Sequence, residues 1–409
     1  MSGPFKLAIL AALALAASHP ATADSPFSFS GFGTLGAVHS NQHDADYIAG
    51  PFKPDGPGYT RNWSFDVDSR LGAQVIATAS PQLSGVVQVI AEQRADDTYN
   101  PTLEWANVQY AVTPELSVRA GRIVLPVFLV SQYRKVGYAN AWVRPPAELY
   151  SLVPITNNDG IDLSYRSHPG EFTNTLQVNY GQADPRLPND QGSAKIRGLI
   201  GVIDTAEYGP LTLHAAYYDA KVTLASLNQL FDAYRQFGPA GAVIADRYEV
   251  NDARIRFMSL AAAYEPGDWF LIGEWGKNWR MGFIPERTAW YVSTGYRMDA
   301  FTPYVAYAHL HSEQRTDPGL DTTGFPPPQA AAAEQLNAGL NELLTAGAPS
   351  QRTLSIGVRW DFIKNAALKV QFDHVDIAPG SLGTFGNIQP DFRAGSDVNL
   401  INVNLDFVF

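Results

Sequence analysis

The chain has 409 residues, 40 of them acidic against 29 basic, for a formal net charge of −11; it has no cysteine and is 12% aromatic. An acidic balance argues against a nucleic-acid partner, and a cysteine-free chain has no disulfide, no thiolate metal site and no cysteine to carry a lipid. Beyond the first segment no apolar run is long enough for a membrane helix, so any membrane span must be made of strands.

Residues 1–23 read MSGPFKLAILAALALAASHPATA. Lys6 supplies a short positive n-region, an apolar run follows from Leu7 to Ala17, and Ala21-Thr22-Ala23 is a small-residue cleavage site. This is the pattern of a secretory signal peptide cut near Ala23. Residues 24–409 are then expected to form one domain.

Downstream, segments of about ten residues alternate apolar and polar side chains and are separated by turns, the repeated signature of a transmembrane β-barrel. The expected strands cover 26–40, 60–79, 85–95, 102–112, 116–122, 160–167, 172–181, 194–207, 211–222, 253–264, 269–280, 286–298, 302–313, 351–362, 367–377 and 397–409, sixteen in all. Their connections alternate. One set is short: SPQLSG, TPELS, HPGE, YGP, EPGD, DAFT, IKNA. The other is mostly long: 41–59, 123–159, 182–193, 223–252, 314–350, 378–396. Short turns at one end and long loops at the other is the arrangement of an outer-membrane barrel.

The faces support this. Leu354, Ile356, Val358, Trp360 and Phe362 share one side of a strand, with Ser355, Arg359 and Asp361 on the other. Leu368, Val370 and Phe372 alternate with Lys369, Gln371 and Asp373 in the next. A polar interior this wide is too costly to keep dry, and sixteen strands enclose an aqueous lumen. The last segment, NLINVNLDFVF, sets Ile401, Val403, Leu405, Phe407 and Phe409 against Asn402, Asn404 and Asp406. It is expected to pair with the first strand and remove both edges.

The expected lumen face carries Arg70, Arg94, Arg119, Arg166, Lys195, Arg197, Arg254, Arg256, Arg297, Arg359 and Lys369 against Asp66, Asp68, Glu92, Asp162, Glu274 and Asp373. Basic groups outnumber acids there, while many acids, such as Asp44, Asp55 and Asp97, fall in loops bathed by screening electrolyte. A weak preference for anions follows. Asp66 and Asp68 are read as one strand face, near Arg70.

Other motifs carry less chemistry. GFGTLG (31–36) fits the dinucleotide-binding glycine pattern but lacks the required preceding strand and following helix, so no cofactor is expected. His309 and His311 share a strand face but lack a third metal ligand, and are read as polar lumen residues. No nucleophile–base constellation for an enzyme is readable. Segments 224–237 and 328–344 have leucines and aromatics at helical spacing and are expected to be short helices on the barrel mouth.

The opening FSFSGFGTLGAVHS, a closing strand ending in Phe409 and the long connection after the fifth strand, GRIVLPVFLVSQYRKVGYANAWVRPPAELYS, together resemble the Gram-negative porins. These are sixteen-stranded trimeric diffusion channels of the outer membrane. The resemblance implies a homotrimer embedded in outer-membrane lipid and lipopolysaccharide, passing small hydrophilic solutes. It also implies a third loop, about 122–159, that folds inward and narrows the barrel, here carrying Arg122, Arg134, Lys135, Tyr138, Trp142, Arg144 and Glu148. General porins have an acid-rich third loop. Arg122, Arg134, Lys135 and Arg144 against Glu148 and Asp159 depart from that pattern. The alternative reading is a selective channel with a binding site for a particular solute.

Overall fold

Period-two alternation in the sequence becomes sixteen long antiparallel strands in the computed structural model, which describes residues 25–189 and 191–409. The expected signal peptide, 1–23, lies outside the described residues. The strands are β1 (Phe27–Ser40), β2 (Arg70–Thr78), β3 (Leu83–Glu92), β4 (Thr102–Ala111), β5 (Leu116–Val124), β6 (Asn157–Ser167), β7 (Phe172–Ala183), β8 (Ala194–Tyr208), β9 (Leu211–Leu224), β10 (Ala253–Tyr264), β11 (Trp269–Asn278), β12 (Arg287–Tyr296), β13 (Phe301–Ser312), β14 (Gln351–Ile363), β15 (Ala366–Ile377) and β16 (Asp397–Val408). Each pairs with its sequence neighbours, and β16 pairs with β1, so the sheet is a closed barrel with short turns at one end and the long loops at the other.

The closing seam is set by side chains as well as by the ladder. Phe32 lies opposite Val408 and Ser40 opposite Leu400. Gly31 and Phe409 exchange backbone hydrogen bonds of 2.8 and 3.0 Å. A β-carbon at Gly31 would lie 2.3 Å from the Phe409 ring, and one at Gly33 2.3 Å from the Phe407 ring. Gly31 and Gly33 of GFGTLG are therefore seats for the two aromatic rings of β16, a close approach that glycine permits.

Four expectations change. The second strand is continuous only from Arg70: Trp63–Ser64 also pair with β1, but residues 66–68 between them form a turn. Asp66 N–H donates to Ser64 Oγ (3.2 Å), and Gly36 N–H donates to Ser69 Oγ (3.0 Å). Such side-chain bonds compete with a ladder, so Asp66 and Asp68 lie in a turn and do not share a strand face. Arg254 and Arg256 point away from the lumen, since the inward alternation of β10 belongs to Phe257, Ser259 and Ala261. His309 and His311 also lie outside, because Tyr304, Ala308 and Leu310 hold the inward positions of β13; His309 rests against Trp290, its ring centre 5.9 Å away. Finally, the interior is not uniformly wet. The inward faces of β8–β13 are largely apolar and covered by the loop between β5 and β6.

Helices form in that loop, α1 (Ala147–Tyr150), and over the mouth, α2 (Asn228–Arg235), α3 (Gly238–Tyr248) and α4 (Pro327–Ala346). The two mouth helices expected from apolar spacing are α2 and α4. The third, α3, starts with proline in its first turn, which suits an N-terminus. Phe231, Tyr234, Ile244, Tyr248, Leu340 and Leu344 join all three in one small apolar cluster.

Gly33→Val should push the Phe407 ring off β1. The ring lies at the barrel's outer surface and can swing, so the loss should be at the low end for overpacking, about 1 kcal/mol. The temperature at which the folded band disappears in semi-native electrophoresis should fall. An unchanged transition would show that the ring seat contributes nothing to closure.

Candidate functional site

The loop joining β5 and β6, residues 125–156, enters the barrel because its own sequence is apolar where the wall is apolar. Leu125, Val127, Phe128, Val130, Trp142, Leu149, Tyr150 and Leu152 are buried against Leu199, Ile203, Tyr218, Phe257, Tyr291 and Leu310. At roughly 1.5–3 kcal/mol for each large side chain buried, this packing is the main attachment of the loop. Polar bonds set its position. Glu274 of β11, buried between them, accepts from Leu129 N–H (2.9 Å), Tyr150 Oη–H (2.7 Å) and Tyr291 Oη–H (2.6 Å). Trp142 Nε1–H donates to Ser293 Oγ at 2.8 Å.

A second wall, formed by β14–β16 and the turn before β2, holds the loop tip by charge. Lys369 is fully buried; its Nζ donates to Gly137 O (2.7 Å) and Trp142 O (2.8 Å) and pairs with Asp406 at 2.8 Å. Arg359 donates to Tyr138 O (2.5 Å) and Asn140 O (3.0 Å), lies over the Tyr138 ring and pairs with Asp361 at 2.7 Å. Arg144 reaches from the loop to Asp68 at 2.8 and 2.5 Å and to Asn402 at 2.7 Å. Glu148 accepts from Gln351 Nε2–H at 2.6 Å and from Thr353. Burial raises the Glu148 carboxyl above its usual range, and the bonds from Thr353 and Gln351 offset only part of this.

The open space lies on the remaining side, against β2–β5. A cavity of about 490 Å³ on the loop side is lined by Arg70, Glu92, Arg94 and Glu104 of the wall region and by Arg134 and Lys135 of the loop. A second, of about 240 Å³ on the turn side, is lined by Gln74, Trp105, Asn107, Arg119 and Gln132. They share no lining residue. On the wall of the larger one, Lys135 Nζ bridges Glu92 and Glu104, 2.8 Å from each. Burial alone would lower the Lys135 pKa, but the carboxylates of Glu104 and Glu92 more than offset it and hold the ammonium above the usual lysine value. Eight basic and five acidic side chains line the larger cavity, so its balance is positive.

The other sequence-selected residues are dispersed. Arg119 pairs with Asp162 (2.9 Å) in the lower lumen, and Arg166 lies 3.5 Å from Glu207 near the turn end. Arg94 lies 3.6 Å from Asp96 just beyond β3, and Arg197 pairs with Asp184 (2.8 Å) at the loop end. Arg122 belongs to β5, not the loop, and pairs with Asp159 (2.7 Å). Asp66 is held in an outer-loop network by Arg61 and by Tyr99 Oη–H (2.6 Å), away from both cavities. Glu104 was missed. A register shift between β3 and β4 at Gln88/Val89 brings it inward beside Trp105, against simple alternation. Its one visible signal is a lone charge in TLEWANVQYA.

A closed antiparallel barrel with two lumen cavities, narrowed by its own inward-folded loop, defines a membrane channel. A family model described as Gram-negative porin matches residues 10–378, and the chain belongs to that family, whose members sit in the outer membrane. Three solved structures share the fold. The outer membrane channel DcaP of Acinetobacter baumannii is 12% identical, with a TM-score of 0.55, covering 94% of this chain and 97% of that one. An anion-selective porin from Comamonas acidovorans is 13% identical (TM-score 0.53; 94% and 99% covered). In vitro folded OmpT of Vibrio cholerae, in a trimer form, is 12% identical (TM-score 0.52; 94% and 99% covered). No curated protein matches the chain in sequence.

Lys369→Met should leave Asp406 buried without its cation and release two loop carbonyls, destabilising the fold by about 3–5 kcal/mol. Lys369→Met/Asp406→Leu should recover much of that in denaturant unfolding. Equal losses in both variants would mean that the ion pair itself is not what the loop rests on.

Proposed function

We propose that the protein is a passive pore for small hydrophilic solutes, weakly preferring anions, that acts as a homotrimer after export and cleavage of residues 1–23. The observation that carries the selectivity is the excess of basic over acidic side chains around the larger cavity. Charges lining a narrow lumen with low-dielectric walls are screened less than those in outer loops. A structurally similar porin from Comamonas acidovorans is described as anion-selective, which is consistent with this reading. No catalytic step enters it, and no cofactor or metal is invoked.

The trimer reading rests on an asymmetry of the outer surface. Outward positions of β2–β5 are mostly small: Ala73, Val75, Gly85, Val87, Ala106, Val108, Ala120. Outward positions of β11–β15 are large: Leu271, Tyr307, Leu354, Ile356, Trp360, Phe372. Within a bilayer, association depends on close van der Waals packing, which small side chains allow. The bulky face suits acyl chains and the lipopolysaccharide leaflet. That the OmpT structure is of a trimer form supports the same reading.

Two measurements in planar bilayers test the pore. Across a salt gradient the wild type should show a reversal potential of anion-preferring sign, and Arg70→Glu/Arg94→Glu should lower the anion-to-cation permeability ratio by roughly threefold or more. A cation-preferring wild type overturns the selectivity. Lys135→Ala removes the bridge between the loop and β3–β4 and frees two carboxylates. Conductance should rise and selectivity shift toward cations; unchanged values in a folded variant would place the constriction elsewhere.

A further inference from the structure

The cations around the larger cavity are nearly all engaged. Lys135 is held by two glutamates, Arg144 by Asp68, Arg122 by Asp159, and Lys53 Nζ by Gln93 O at 2.5 Å. Arg70 lies between Asp68 O (3.2 Å) and Glu92 (3.8 Å). Arg94 and Arg186 both lie near Asp96, at 3.6 and 3.4 Å. Arg134 is the exception. Its guanidinium lies over the Tyr150 ring, 5.2 Å from the centroid, and has no hydrogen bond or ion pair to any described residue. Of the carboxylates that act on it electrostatically, Glu104 and Glu92 are bridged by Lys135, and Glu274 accepts from Tyr150, Tyr291 and Leu129 N–H.

This arrangement is costly unless something completes it. A half-buried guanidinium keeps five N–H donors in a fixed planar fork, and removing it partly from water without a partner is unfavourable. The ring beneath it cannot drift away, because Tyr150 is buried and its hydroxyl is tied to Glu274. The fork is therefore presented, pre-oriented, to the cavity. A planar carboxylate matches it with two parallel hydrogen bonds, which a spherical ion cannot do. Beside it the loop contributes apolar surface to the same cavity, Val143, Ala147, Pro154 and Ile155.

We propose that Arg134, stacked on Tyr150, forms a subsite for the carboxylate of small organic acids whose apolar body lies along the loop wall. This rests on the channel reading above and names a solute class that the pore retains in passing. Binding there would supply the missing partner for Arg134 while leaving the Lys135 bridge intact.

Benzoate is the probe, with benzyl alcohol and inorganic phosphate as controls. In wild-type channels benzoate should reduce the current in a saturable way at concentrations where the controls do not. Arg134→Gln should raise the half-blocking concentration at least about tenfold, the worth of a charge-assisted bidentate contact. Arg134→Lys, which keeps the charge and loses the fork, should restore only part of the block. Equal block in wild type and Arg134→Gln overturns the subsite. Equal block by phosphate reduces it to a general anion effect, and equal block by benzyl alcohol to an apolar one; either overturns the carboxylate assignment. Calorimetric titration of benzoate into the detergent-solubilised, folded protein and its Arg134→Gln variant tests the subsite without any current. Absence of channel current in salt would overturn the pore and leave that titration to decide the subsite separately.

Discussion

An apolar loop can be kept inside a membrane channel only if part of the channel wall is apolar too. That constraint organises this molecule. Strands β8–β13 are apolar toward lipid and, over much of their length, toward the lumen as well, so that loop residues such as Phe128 and Leu149 have a surface to bury against. Once that half of the lumen is filled, the aqueous space is confined to the side of β2–β5, and the charges there acquire their importance.

Charged side chains in the lumen then divide into two kinds. Lys369, Arg359 and Arg144 are spent on loop carbonyls or on buried carboxylates, and their charges are neutralised at close range. Breaking such a pair exposes the cost of a buried charge. Arg70, Arg94, Arg134 and Lys135 border open space, each but Arg134 with a carboxylate within 4 Å, and there a field can act on a passing ion. The larger cavity is therefore net positive inside an acidic protein, while acids such as Asp44, Asp55 and Asp97 lie in outer loops.

The strand pattern was legible because period-two alternation depends only on neighbours along the chain. That is why β14 and β15 faced as read, and why Phe407 and Phe409 could be assigned to the outside. Facing failed where tertiary context intervened. Asp66 and Asp68 lie in a turn that interrupts the pairing with β1 between Ser64 and Arg70, with Asp66 N–H held by Ser64 Oγ. Arg254 and Arg256 belong to a strand apolar on both faces, where alternation has no contrast to offer. Glu104 was hidden by a register shift of one residue, which reverses facing. The role of Arg134 was beyond sequence reading altogether, since it follows from which acids its neighbours occupy.

The loop's anchors are far from it along the chain. Leu129 meets Glu274 145 residues on, Lys369 meets Gly137 at a separation of 232, and Asn404 Nδ2–H donates to Val143 O at a separation of 261. Long-range contacts of this kind form slowly, because chain closure must come before any contact can stabilise it. The surfaces that receive the loop exist only after β8–β16 are in place. Docking is therefore a late event in folding, and a barrel whose strands have closed but whose loop has not docked would be a wide, unselective hole. The buried Lys369–Asp406 pair, formed between the last two strands and reaching back to the loop, thus links completion of the wall to loss of that leak.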